Sequence, residues 1–193
     1  MHEEFFSVVH SLPVNVIPVQ GDYLPSIAEL EAEMPEPFRI ASAISAIDLG
    51  TSRLMRAQGS EHLQDLIEVI NQQSRKIDLI MGYVLAVQDH PEHRFHTLRL
   101  GGGELHYLFP FEGHGEPPKS GQLVRLKIFL REEASAVYCY GRVKGVTRGE
   151  HGHHVELDYA CIRDEDRELL VRASLHIQSR QLKQRASERH RNT

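Results

Sequence analysis

Residues 63–87 read LQDLIEVINQQSRKIDLIMGYVLAV, and this stretch narrows the choice of folds more than any other. With heptad position a at Leu63, position a falls on Leu63, Ile70, Ile77 and Val84. Position d then falls on Leu66, Gln73, Ile80 and Val87. Seven of these eight seam positions are aliphatic, and the run predicts a helix about 37 Å long. The flanking positions carry Ile67, Val69, Met81 and Tyr83 rather than Glu and Lys, so the apolar face is wider than a two-stranded seam needs. β-branched residues at both a and d favour three or four strands, and Gln73 is a polar seam residue of the kind that fixes register. The competing reading is a broad amphipathic helix packed on its own domain.

Before this helix the chain is irregular. PVNVIPVQ (13–20) reads as a short edge strand, because its prolines exclude a central one. SIAELEAEMPEP reads as a helical turn and a linker. Ile40, Ile44 and Ile47 then recur at helical spacing after Pro37, with Gly50 as the expected end. QGSEHLQ marks a break, with Ser60 as the N-cap of the restart.

After residue 92 the texture changes. FHTLRL, ELHYLFPF, LVRLKIFL, AVYCYGRVKGV and HVELDYA are five strand-like segments separated by Gly-rich or polar turns. Short strands at this spacing form a small barrel or sandwich. In LVRLKIFL, Leu126, Ile128 and Leu130 share one face and Arg125 and Lys127 the other. A final helix opens at Asp164 with Glu165 and Asp166 in its first turn. Leu170, Ala173 and Ile177 form its inner stripe, and from Arg180 the sequence reads as a fraying basic end.

Composition limits function. The 193 residues carry a formal net charge of -5, so no global basic field draws nucleic acid or an acidic membrane. No run approaches the 18 apolar residues of a membrane span, and the N-terminus lacks the basic region of a signal peptide. Two cysteines, Cys139 and Cys161, make no disulfide framework. The reading is a cytoplasmic protein. No Ser, His and acid arrangement sits at an elbow. Gly101–Gly103 lacks the Gly-Lys-Ser/Thr that would make it a phosphate loop, and a tight turn between strands explains it. His151, His153 and His154 are dense but incomplete as a metal set, since alternation puts His154 opposite the other two. A third ligand would have to come from elsewhere, such as His114. A polar hairpin turn is the plainer reading.

The order of elements adds a resemblance. A strand, a Gly-rich turn, ELHYLFP, SGQLVRLKIFL, YGRVKGV and HVELDYACI, then RDEDRELLVRASLHIQSRQLKQR, resembles the PilZ domain, a small bacterial β-barrel with a helix after its last strand. EEFFSVVHSLPVNV, and INQQSRKIDLIMGYVL before the barrel, are similar to the tetrameric PilZ subfamily. The resemblance implies an α+β chain with a small antiparallel barrel, a C-terminal helix and a preceding long heptad helix. It divides the chain into an N-terminal segment (1–58, with a short strand and helix), the oligomerisation helix (59–90), the barrel with its helix (93–187) and a tail (188–193). It also implies a non-enzymatic signalling or adaptor protein. Such a protein would be a homo-oligomer of four chains with a regulatory protein partner, in cyclic di-GMP-linked control of motility, surface behaviour or virulence.

The family grips cyclic di-GMP with an R-x-x-x-R loop and a D/N-x-S-x-x-G turn, which supply forked guanidinium contacts and a close backbone approach. This chain departs from both. The turn reads RLGGGEL, with Arg99 at the acidic or amide place and Gly101 at the serine place; Gly102 and Gly103 keep only the turn. Arg75 has no partner four residues away. RDEDR (163–167) lies at an acidic helix start, and RASER (185–189) at the wrong end of the domain. The expectation is no cofactor, and no cyclic di-GMP binding in the usual way. Two alternatives stay open: a receptor using Arg185 and Arg189, or a nucleotide-independent scaffold. A small enzyme or metal-dependent protein using the His cluster is a third.

Overall fold

The computed structural model describes residues 6–56 and 64–191, excepting the side chains of residues 48–56, 64–67 and 190–191. Strands Ser7–Val9 (β1) and Pro13–Pro18 (β2) open the chain. Helices Ile27–Glu33 (α1), Glu36–Arg56 (α2) and Gln64–Ala86 (α3) follow. Strands Arg94–Gly101 (β3), Glu104–Pro110 (β4), Leu123–Leu130 (β5), Ser135–Arg148 (β6) and Gly152–Cys161 (β7) precede the helix Asp164–Arg191 (α4).

Strands β2–β7 close into a six-stranded antiparallel barrel, in the order β3-β2-β5-β6-β7-β4 with β4 returning to β3. β1 continues β2 along β3, pairing Ser7, Val8 and Val9 with Gly101, Leu100 and Arg99. Closure leaves no long open edge in the ring.

Two expectations change here. PVNVIP is a two-sided strand, paired with both β3 and β5. Pro13 and Pro18 sit at its ends, where the missing amides cost least. The barrel therefore draws one of its six strands from the N-terminal segment, rather than from 93–187 alone.

Alternation fills the barrel. Val14, Val16, Leu105, Tyr107, Leu126, Ile128, Val137, Cys139, Val155 and Leu157 point inward and are buried. Leu169, Leu170, Ala173 and Ile177 of α4 join that core, so the helix stripe read from sequence closes the barrel. The outer face of β5 and β6 is also covered. Leu123, Phe129, Ala136, Tyr138 and Tyr140 pack with Leu30 of α1, Phe38 and Ala41 of α2, and Met81 and Leu85 of α3. The face carrying Arg125 and Lys127 is thus a second interior, and Lys127 is 5% exposed. Cys139 and Cys161 belong to these two different interiors and are both free.

α1 begins with a capping box: the Glu29 amide donates to Ser26 Oγ, and Ser26 N donates back to Glu29 Oε2. This S-x-x-E signal makes a full helix where the sequence reading had one turn. α2 continues through Gly50 to Arg56. A single helical glycine costs only about 1 kcal/mol, which packing of Phe38 and Ala41 outweighs. α4 likewise runs on to Arg191, so the basic end and residues 188–191 are helical. The expected cap Ser60 lies outside the described residues. Among the described residues, no helix is long and apolar enough to cross a membrane.

Arg163 stitches the start of α4 to α2. Its Nε and Nη2 donate to the two oxygens of Asp166 at 2.8 and 2.9 Å, and Nη2 also donates to Ser42 Oγ at 3.1 Å. Burial pushes the Asp166 carboxyl up, and the forked guanidinium pulls against that. Breaking such a pair from one side leaves a buried charge unpaired, whereas replacing both sides with apolar groups is far cheaper. Arg163→Met should therefore cost about 3 kcal/mol in urea unfolding. Arg163→Met with Asp166→Leu should recover most of that loss.

Candidate functional site

The β3–β4 turn at residues 101–103 is where a PilZ-like chain would present its ligand turn, and here the chain occupies it. Leu100, Gly101 and Gly102 are buried. A Cβ on Gly101 would stand 2.6 Å from the Phe6 carbonyl oxygen and 2.9 Å from Ser7 Cβ. Only a glycine lets β1 lie this close. The turn's carbonyls are also taken. Arg167 Nη1 donates to Gly102 O at 2.6 Å, the Tyr159 amide to Gly103 O at 3.3 Å, and Ser174 Oγ to Leu100 O at 3.3 Å. Tyr159 is buried, and that burial pushes its phenol well above the usual range.

The arginines of the sequence reading separate into different tasks. Arg99 is exposed on β3, opposite Val9 on one side and His106 on the other. Arg163 and Arg167 are spent on Asp166 and on the turn itself. Arg185 and Arg189 are exposed on the last turns of α4. They lie about 27 and 33 Å along the helix from Arg167 by its rise per residue. Between them and the turn, Arg180 pairs with Glu132, and Gln181 donates to the Val9 carbonyl. The fold does not bring Arg185 and Arg189 to Gly101–Gly103.

α3 has two unlike faces. Met81 and Leu85 are buried against the chain's own outer layer. The opposite side carries Val69, Ile77, Leu79, Ile80, Tyr83 and Val87, all 45–77% exposed. On a helical wheel, Val69, Ile80 and Val87 fall within about 20° of one another, and Met81 and Leu85 lie about 100–160° away. The heptad seam is therefore mostly outward. Ile77, Ile80 and Val87 are exposed, Gln73 is exposed, and Ile70 and Val84 are partly covered. Leu66 lies in α3 without a described side chain, and Leu63 lies outside the described residues. These six large apolar side chains, with Gln72, Gln73 and Lys76 among them, are exposed apolar surface of the kind that marks an interaction site. A Met81/Leu85 stripe offset from the heptad was not read from sequence. The unusual breadth of the apolar face was its only signal.

The histidines stay apart. His153 packs edge-on to Phe111 at 5.2 Å, and Arg148 covers the same ring at 5.3 Å. His154 lies against Gly149, and His114 packs on Phe95 at 4.7 Å. Among the described residues, no three His, Cys, Asp or Glu side chains are placed to hold a metal ion. A cleft of about 950 Å³ lies between α1, α2 and the start of α4, with Arg39, Arg172, Glu31 and Glu168 among its lining. Its charges are mixed, and it shows no convergent catalytic set.

Comparison with known proteins now gives the architecture a place. No protein-family profile and no curated protein sequence matches the chain. Solved structures do. One is a Xanthomonas campestris pathogenic protein, a tetrameric PilZ domain self-assembled through a helical bundle. It aligns over 94% of this chain and 93% of its own, at 13% identity with a TM-score of 0.57. Another is the Bacillus subtilis inhibitor of motility MotI/DgrA, aligned over 93% of this chain at 12% identity with a TM-score of 0.50. This chain spans about half of that one, 53%. The barrel and its C-terminal helix are PilZ-like in fold.

The occupied turn sets an expectation. Gly101→Ala places a methyl against the Phe6 backbone, so β1 must shift. Hydrogen exchange at Ser7–Val9 should speed up about tenfold or more, while amides of β6 keep their protection.

Proposed function

We propose that this protein is a cytoplasmic, non-enzymatic PilZ-type adaptor that assembles through α3 and does not grip cyclic di-GMP in the family's usual way. The observation that carries the reading is the two-faced α3. One stripe is satisfied within the chain, and the other carries large apolar side chains that stay 45–77% exposed. Sister helices of other copies supply the matching chemistry. β-branched residues at both seam positions favour a bundle of four over a pair. The helical-bundle assembly of the Xanthomonas campestris neighbour agrees with that arrangement.

The nucleotide side rests on the turn. Cyclic di-GMP needs forked guanidinium donors and free polar groups at the glycine turn. Here Arg167 and the Tyr159 amide already take the carbonyls, Phe6 and Ser7 stand over Gly101, and Arg185 and Arg189 are remote along α4. The role is then a regulatory one played by protein contact, in cyclic di-GMP-linked control of motility, surface behaviour or virulence. The motility-inhibitor neighbour is consistent with that setting. A nucleotide-independent scaffold is the second reading, favoured by the same self-occupied turn.

Two measurements test this. Ile77→Asp with Ile80→Asp places carboxylates on the outward seam, where a shared interior would exclude them at several kcal/mol. Light scattering should show a fall from a multimer to a monomer, with the barrel's β signal unchanged. A wild-type protein that is monomeric at micromolar concentration sinks the assembly. Calorimetric titration with cyclic di-GMP should give no stoichiometric heat at micromolar levels. A clean isotherm would overturn the nucleotide-blind reading while leaving the assembly intact.

A further inference from the structure

The root of α3 is held by polar groups in an otherwise apolar layer. Arg94, Asn15 and Lys127 stand side by side across β3, β2 and β5, because Asn15 is the cross-strand partner of both. This row grips Gln88, Asp89 and His90, just past the end of the helix at Ala86. Asn15 Nδ2 donates to Asp89 Oδ1 at 2.8 Å and to His90 O at 3.2 Å, and Asn15 Oδ1 accepts from the His90 amide at 2.9 Å. Arg94 Nε donates to Asp89 Oδ2 at 2.8 Å, and Lys127 Nζ donates to the Gln88 carbonyl at 3.3 Å.

Three of these groups are drawn out of water, while the Arg94 side chain stays 40% exposed. Asn15 is 0% exposed, Lys127 5%, and the Asp89 side chain 6%. Burial pushes the Lys127 ammonium down; Arg125 adds to that push and Asp89 opposes it. Lys127 also lies 5.9 Å from the Phe38 ring centre. Met81 and Leu85 also tie α3 to its own chain, by apolar contact. Such burial is non-directional and tolerates rotation and tilt. Hydrogen bonds with defined donors and acceptors do not. Apolar replacement of buried polar groups is often neutral or stabilising, and in some proteins such groups act by selecting one arrangement.

We propose that the Arg94–Asn15–Lys127 row is an orientation joint, which sets the single direction in which α3 leaves the barrel. Without it the helix root stays buried but the helix takes more than one direction. The joint lies within one chain, so it stands whether or not α3 assembles.

The test measures one distance inside one chain. Spin labels are placed on Arg75→Cys in α3 and Glu150→Cys in the β6–β7 turn, both exposed sites. The native cysteines are buried and stay unlabelled. Dilution with unlabelled full-length protein restricts the signal to intrachain pairs. The parent should give one narrow distance peak. Asn15→Leu with Lys127→Met should widen that peak about twofold or split it, with the barrel's β signal kept. A peak as narrow as the parent's overturns the joint. So does a broad peak accompanied by loss of the barrel's β signal, because the row would then be holding the fold rather than a direction. Asp89→Ala removes the carboxylate held by Asn15 and Arg94 without touching a strand, and leaves Asn15 on His90 and Lys127 on Gln88. It should broaden the peak by a smaller factor, and it decides the question alone if the double variant does not fold; an unchanged peak there overturns the joint.

Discussion

Burial of β5 and β6 on both faces is the constraint from which the rest of this structure follows. Inward, Leu126, Ile128, Val137 and Cys139 fill the barrel; outward, Phe129, Tyr138 and Tyr140 meet α1, α2 and the end of α3. A small barrel buries too little surface by itself to hold appended helices loosely. Sharing two strands between two cores makes the helices part of the domain. The outer core also has to accommodate charge, and it does so with specific partners. Tyr138 and Tyr140 both donate to Glu33 Oε1, at 3.2 and 2.6 Å, and Lys127 reaches the Gln88 carbonyl.

That double burial determines what α3 can do. Among the described residues of α3, Met81 and Leu85, near its C-terminal end, are the ones buried in the outer core. The helix is therefore anchored at its root and presents its wide apolar side elsewhere. An amphipathic helix satisfies its apolar stripe once; this one has two, and the second stands exposed. The polar row at the root adds direction to an anchor that apolar packing alone would leave free to pivot.

The β3–β4 turn follows the opposite logic. Where an open site would leave backbone groups for a guest, Gly101–Gly103 is consumed by β1, Arg167 and Tyr159. The literal R-x-x-x-R string at 163–167 is spent inside the fold as well. One arginine neutralises a buried carboxylate, and the other ties a helix to a turn. Arginine spacing in a sequence is a poor guide to a phosphate site when carboxylates of the same helix start lie within reach.

The sequence by itself determined the local periods. Alternation at Leu126, Ile128 and Leu130 specified strands, the stripe of Leu170, Ala173 and Ile177 a helix on a core, and Ser26 with Glu29 a helix start. The heptad of 63–87 specified a helix with excess apolar surface, and RLGGGEL a turn stripped of polar side chains. These depend on neighbours a few residues apart. Tertiary structure alone decided that PVNVIP is a two-sided barrel strand, that the Arg125 and Lys127 face is an interior, and that β1 lies over Gly101. It alone set Asn15, Arg94 and Lys127 in one row. Each of these joins residues scores of positions apart across strands, and a pattern of period 2 or 3.6 carries no information about which distant segment will cover a given face.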